Sequence, residues 1–152
     1  MSERFTLRTD GGARGNPGPS GAGFVLEDSH GEVVRRGGKF LGATTNNVAE
    51  YEALIWGLRT ALDHGVRRLR VAADSELVVR QCTGVYKVKS EGLKPLHARA
   101  CVLMRRFDSV DVTHVRRAEN EAADALANEA MDLRDTIGDG VGDDVERQGS
   151  LF

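Results

Sequence analysis

RFTLRTDGGARGNPGPSGAG, residues 4–23, begins as a strand and passes into a run of glycine and proline, with one acid, Asp10, at the junction. Phe5 and Leu7 alternate with polar neighbours, the two-residue period of a half-buried strand. From Gly11 onward Gly and Pro exclude a helix, so a strand ending at Asp10 should turn into a second strand over about 21–28. Asp28, Ser29, His30 and Gly31 supply turn chemistry before a third strand, roughly 32–41. Three successive strands imply an antiparallel meander.

The next segment is helical. Tyr51, Leu54, Ile55, Leu58, Ala61 and Leu62 recur at three- and four-residue spacing, and Gly65 is a natural stop, which predicts a helix over about 46–64. RRLRVAAD gives a fourth strand over about 67–73, and SELVVRQC a short helix. Pro95 lies in the first turn of a helix predicted at about 93–106, VDVTHV forms a fifth strand at 110–115, and NEAADALANEAMD a helix at about 120–132. The order βββαβααβα is an α/β arrangement in which strand 1 lies beside strand 4 after a helical crossover.

A chain of 152 residues, 40% hydrophobic and 29% charged, is long enough for one domain with a real core. We read a domain over 1–131 and an acidic, Gly-rich, flexible tail over 132–152. The body carries 19 Lys/Arg against 17 Asp/Glu, whereas the tail carries two Arg against six acids. No apolar run approaches a membrane span of roughly 18 residues, and MSERFTLRTD lacks the apolar stretch of a signal peptide, so a cytoplasmic protein is expected. Cys82 and Cys101 lack metal-ligand or redox-motif spacing and read as reduced packing residues. No long exposed apolar stripe remains once the core is assigned, so a monomer is expected.

Four acids stand among small or apolar neighbours: Asp10 in the opening stretch, Glu50 in TTNNVAEYEAL, Asp74 in VAADSELVV and Asp124 in RRAENEAADALA. Any one alone reads most simply as a turn, cap or surface residue, and Asp74 could cap the helix it precedes. Together they are different. Asp10 and Asp74 end neighbouring parallel strands, and Glu50 and Asp124 lie in early helical turns, the places where α/β sheets gather ligands. Buried carboxylates need a cation, and an all-oxygen set suits Mg²⁺ or Mn²⁺. Residues 80–106 add seven Lys/Arg, Lys87, Lys89 and Lys94 among them, against Glu91 alone. That is either a phosphate-binding segment or a solvated face.

The chain resembles type 1 ribonuclease H, in the compact branch of bacteria and archaea that lacks a basic protrusion. The resemblance covers about 4–131. It rests on Asp10-Gly11-Gly12 with Asn16-Pro17-Gly18, on Thr45-Asn46-Asn47 with Ala49-Glu50, on Asp74-Ser75, and on Asn120 with Ala123-Asp124. It implies a ribonuclease H-like fold, a five-stranded mixed sheet with helices on both faces. It also implies an endonuclease that hydrolyses the RNA strand of RNA–DNA hybrids with two Mg²⁺ ions, leaving 5'-phosphate and 3'-hydroxyl ends. Asp10, Glu50, Asp74 and Asp124 would be the catalytic, metal-binding set. Backbone at Gly11 and Gly12 and the side chains of Asn16, Asn46 and Asn47 would contact the hybrid, with Thr45 near a DNA phosphate.

Two departures matter. TGVYKVKSEGLKP is short where longer members carry a basic protrusion, so weaker or more salt-sensitive binding is expected. Longer members also place a histidine in a loop before the last Asp, for proton transfer and product release. Here His114 falls in a strand, and Arg116 or Arg117 is expected to serve instead. A non-catalytic module for hybrid or double-stranded RNA, and a DNA-acting nuclease of the same fold, are the competing readings. Finally, Gln148-Gly149-Ser150-Leu151-Phe152 resembles the Q-x-x-L-F pentapeptide by which replication and repair proteins bind the DNA sliding clamp. Gln148, Leu151 and Phe152 would then be the contacts.

Overall fold

The computed structural model describes residues 2–142, so Gln148, Leu151 and Phe152 lie outside the described residues. Eleven elements follow in order: β1 Arg4–Ala13, β2 Gly18–Glu27, β3 Val33–Thr44, α1 Asn46–Asp63, β4 Arg68–Ala73, α2 Glu76–Cys82, α3 Lys94–Met104, β5 Ser109–His114, a 3-10 turn Arg117–Asn120, α4 Glu121–Leu133 and β6 Ile137–Gly138. The sheet runs β5-β4-β1-β2-β3-β6. β1 pairs antiparallel with β2 and parallel with β4, which in turn pairs parallel with β5. Strand 1 therefore does lie beside strand 4 across the α1 crossover.

Side chains alternate across the sheet because successive strand residues point to opposite faces. Phe24 on β2 meets Trp56 of α1 edge-on at 4.8 Å between centroids. Leu7, Leu26, Leu54, Ile55 and Leu58 fill the same layer, each no more than 1% exposed. On the other face Gly23 holds α4 close: a Cβ there would lie 2.1 Å from the carbonyl oxygen of Ala123. Buried Ala123, Ala127 and Ala130 complete this small-on-small packing. It draws α4, and Asp124 with it, down onto the sheet.

The structure corrects two expectations. β1 does not end at Asp10; it continues through Gly11 and Gly12 to Ala13, with Gly11 opposite Ala22 and Gly12 opposite Gly21. Gly11 is required in this strand because another backbone passes close by: a Cβ there would sit 2.3 Å from the Ala49 carbonyl carbon. The sheet also has six strands, not five. The sixth comes from the segment expected to be a flexible tail, and its contacts with the domain continue to Val141. Asp139 Oδ1 accepts from Arg36 N at 2.7 Å, and Trp56 Nε1 donates to the Val141 carbonyl at 2.7 Å. Backbone pairing, the Asp139 carboxylate, the Trp56 indole N–H and the Thr60 hydroxyl hold this strap, and none of these needs an apolar sequence in it. Among the described residues no helix is long and apolar enough to cross a membrane.

Candidate metal and nucleic-acid site

β1 and β4 stay paired as far as Thr9 and Ala73, and the next residue on each is an acid, Asp10 and Asp74. Beyond this point the strands part. The buried amide of Asn120 spans the fork, its Nδ2 donating to the Thr9 carbonyl at 2.9 Å and to the Ala72 carbonyl at 3.1 Å. That bond ties the start of α4 to both strands and sets Asp124, one helical turn further on, over the same opening. Ser75 caps α2 by accepting from Val78 N at 3.3 Å, so Asp74 is not spent as a cap.

Glu50 is placed by the start of α1. Thr45 caps the helix, accepting from Val48 N at 3.3 Å. Asn46 Oδ1 takes the Ala13 N–H at 2.7 Å, and Asn16 Oδ1 takes the Asn46 N–H at 3.1 Å. The β1–β2 turn is thereby bolted to the helix, and the Gly11 N–H reaches the Glu50 carboxylate.

One carboxylate oxygen from each of Asp10, Glu50 and Asp74 lies within 4.8 Å of the others. Asp124 stands beside them, its carboxylate within hydrogen-bonding reach of Asp10. All four line one cleft of about 370 Å³ together with Gly11 and Gly12. Burial pushes Asp10 up to about 9, aided by the bond to Asp124 and by the charges of Glu50 and Asp74. Burial likewise pushes Glu50 up to about 8, with Asp74 adding to the rise and the Gly11 N–H, Asp10 and Arg117 opposing it. Asp74 Oδ1 is buried and has no hydrogen-bond partner. A buried, unpartnered oxygen among crowded acids is what a hard divalent cation relieves, so the donor set fits Mg²⁺ or Mn²⁺.

The structure divides the other expected residues. Gly11, Gly12, Asn46 and Asn47 line the cleft, whereas Asn16 and Thr45 stand behind it as turn and helix-cap bonds. Arg117 lines the cleft and Arg116 immediately precedes the 3-10 turn. His114 ends β5, exposed and opposite Ala73, and is not part of the lining. Lys87 and Lys89 are exposed on the α2–α3 connection and Lys94 begins α3, where it pairs with Glu91 at 2.7 Å. Sequence reasoning gave no role to Arg14 or Asn128, which also line the cleft, or to the strand-bridging amide of Asn120. Asn128 had one signal: it stands four residues after Asp124 on an otherwise alanine-rich helix.

Over residues 8–130 the chain matches the Reverse transcriptase-like family. It is 47% identical over 123 residues to Ribonuclease HI of Halobacterium salinarum, covering 81% of this chain and 62% of that protein. The chain thus spans less than two thirds of that relative's length. Ribonuclease H of Saccharopolyspora erythraea is 36% identical over 141 residues, covering 83% of this chain and 89% of that one. Among solved structures, LC11-RNase H1 in complex with RNA/DNA hybrid shares the fold at a TM-score of 0.81 and 42% identity, over 86% of this chain and 98% of that chain.

Proposed function

Because this chain belongs to the ribonuclease H family, we propose that it is an endonuclease hydrolysing the RNA strand of RNA–DNA hybrids, with 5'-phosphate and 3'-hydroxyl products. The observation that carries this reading is the meeting of Asp10, Glu50, Asp74 and Asp124 in one cleft beside the Gly11–Gly12 backbone. Asp10, Glu50, Asp74 and Asp124 would hold two Mg²⁺ ions, or Mn²⁺. When bound, these supply Lewis acidity toward water and the scissile phosphate oxygens.

The residues themselves do the rest. Backbone at Gly11, whose Cβ space is filled by α1, and at Gly12, where a Cβ would meet nothing closer than Asn46 Oδ1 at 3.9 Å, lines the cleft, and the open space at Gly12 permits close approach of a ribose, whose 2'-hydroxyl is the local mark of RNA. Asn46 and Asn47 stand at the same wall to receive it. Arg117 adds positive charge to the cleft lining, close enough to lower the Glu50 pKa. It takes the electrostatic part of the missing loop histidine, holding phosphate charge as product forms, ahead of Arg116 and His114. A guanidinium does not shuttle protons at neutral pH, so that part of the histidine's work falls to solvent. Mg²⁺-dependent cleavage of labelled hybrid, duplex DNA and duplex RNA side by side tests the reading. Cleavage confined to the RNA of the hybrid is expected; cutting of duplex DNA, or binding without cutting, would replace it with a competing reading.

Lys87, Lys89 and Lys94 are assigned sequence-independent phosphate contacts. Replacing all three with Ala is expected to raise KM for hybrid about tenfold at 0.1 M salt and to flatten its salt dependence, with kcat nearly unchanged. An unaltered salt slope would make the segment a solvated face.

The clamp contacts Gln148, Leu151 and Phe152 belong to the same proposal, supported by the pentapeptide alone. Binding to the clamp would raise the enzyme's effective concentration at replication sites. Deleting residues 148–152 is expected to abolish binding to the sliding clamp in calorimetry while leaving hydrolysis of free hybrid intact. If the 152-residue chain shows no clamp binding at tens of micromolar, that idea ends.

A further inference from the structure

Asp124, Asn128 and Asp132 stand four residues apart on α4 and so share one face of the helix. Asn128 Nδ2 donates to the Asp124 carbonyl at 3.0 Å and to its carboxylate Oδ1 at 3.3 Å. On the other side of the same amide, Oδ1 accepts from Arg14 Nη2 at 3.3 Å. That guanidinium nitrogen also pairs with Asp132 Oδ1 at 2.7 Å and reaches the Asn128 carbonyl at 3.4 Å. Arg14 comes from the β1–β2 turn, two residues past Gly12, so the network joins the two walls of the cleft.

The chemistry at position 128 is restrictive. An amide donates to an anion with one atom and accepts from a cation with the other. A carboxylate there would repel Asp124, an ammonium would repel Arg14, and an alkyl group would serve neither. Asp124 is half-buried on a helix, and its remaining tie, to Asp10, needs a proton shared between the two acids, so once both are ionised Asn128 is the neighbour that keeps its rotamer turned toward Asp10.

We infer that Asn128, anchored from outside by Arg14, is a positioning residue that holds the Asp124 carboxylate toward Asp10 and so sets how tightly this chain grips a divalent cation. The inference rests on the nuclease reading. Hydrogen-bond partners behind metal-binding side chains are typically worth about ten- to a hundredfold in metal affinity or activity.

The test uses the full chain and two variants, Asn128→Leu and Arg14→Met, with Mg²⁺ and Mn²⁺ binding measured calorimetrically without hybrid, and kcat and KM measured over a Mg²⁺ series. Asn128→Leu should weaken cation binding about tenfold and lower kcat about tenfold at limiting Mg²⁺, with recovery at high Mg²⁺ and KM for hybrid within about twofold. Arg14→Met, on a half-exposed turn, should move both quantities the same way by about threefold, and it carries the test if Asn128→Leu does not fold. Unchanged cation binding in the folded variants overturns the inference, as does a loss confined to KM, which would make Asn128 or Arg14 a hybrid contact. Wild type that fails to cut hybrid would sink the nuclease reading instead, while the comparison of cation affinities would still decide the role of Asn128.

Discussion

Asp10→Asn is expected to cut hybrid cleavage by about a thousandfold or more while hybrid binding persists and the metal-free protein becomes more stable. Asp10 is 6% exposed, and burial is the chief cause of its raised pKa, followed by its bond to Asp124 and the charges of Glu50 and Asp74. An amide of the same shape keeps the packing and can still donate to Asp124. What disappears is an anionic oxygen from a group whose ligand atoms lie within 4.8 Å of one another. An amide has no charge to give up on burial, whereas the folded wild type must keep a proton that the unfolded chain has released, so the metal-free Tm should rise by several degrees at pH 8. Activity above about a tenth of wild type would refute the assignment of Asp10 to the metal site. An unchanged or lower Tm at pH 8 would show that burying the Asp10 carboxyl is not a significant cost to folding.

Stability of the metal-free wild type should fall as pH rises from 5.5 to 9, opposite to the trend for carboxylates held by cations. Asp10 and Glu50 have folded-state pKa values raised to about 9 and about 8, from ordinary values of 3.8 and 4.5. Between these limits the folded cluster keeps protons that the unfolded chain has released. Stability is therefore fully present below the unfolded values and lost as pH climbs through the folded ones. Each retained proton costs about 1.4 kcal/mol per pH unit up to the folded pKa, so a loss of several kcal/mol and a fall in Tm on the order of 10 °C or more are expected across this window. Mg²⁺ should restore most of it at pH 9 and little at pH 5.5, where protons already do the neutralising. Thermal unfolding in chelator and in Mg²⁺ at both pH values checks this. A flat or rising Tm in chelator would mean that Asp10 and Glu50 ionise freely in the folded chain.

The meeting of the acids was legible because each sits at a recognisable junction. Strands 1 and 4 are joined by a helical crossover, which sets Asp10, where their pairing stops, beside Asp74, which follows β4. The caps were not legible: the sequence offered Asp74 as a cap and Thr45 as a phosphate contact, whereas Ser75 and Thr45 cap α2 and α1. The meander was legible too, but not its reach. Gly11 and Gly12 read as turn residues, yet they continue β1 because α1 passes so close to Gly11 that no side chain fits.

The strap was invisible for a related reason. Asp139 and Val141 engage through one side-chain oxygen and backbone atoms, so the Gly- and Asp-rich stretch carries no hydrophobic period to announce a strand. By itself, the sequence determined the α/β class, the crossover beside β1 and the four acids, because those follow from local periodicity and chain order. Only tertiary structure decided the sixth strand, the Asn120 bridge across the strand fork and the Arg14–Asn128–Asp124 chain. A lone polar residue acquires such a role from partners that are distant in sequence and meet it only when the sheet and helices close.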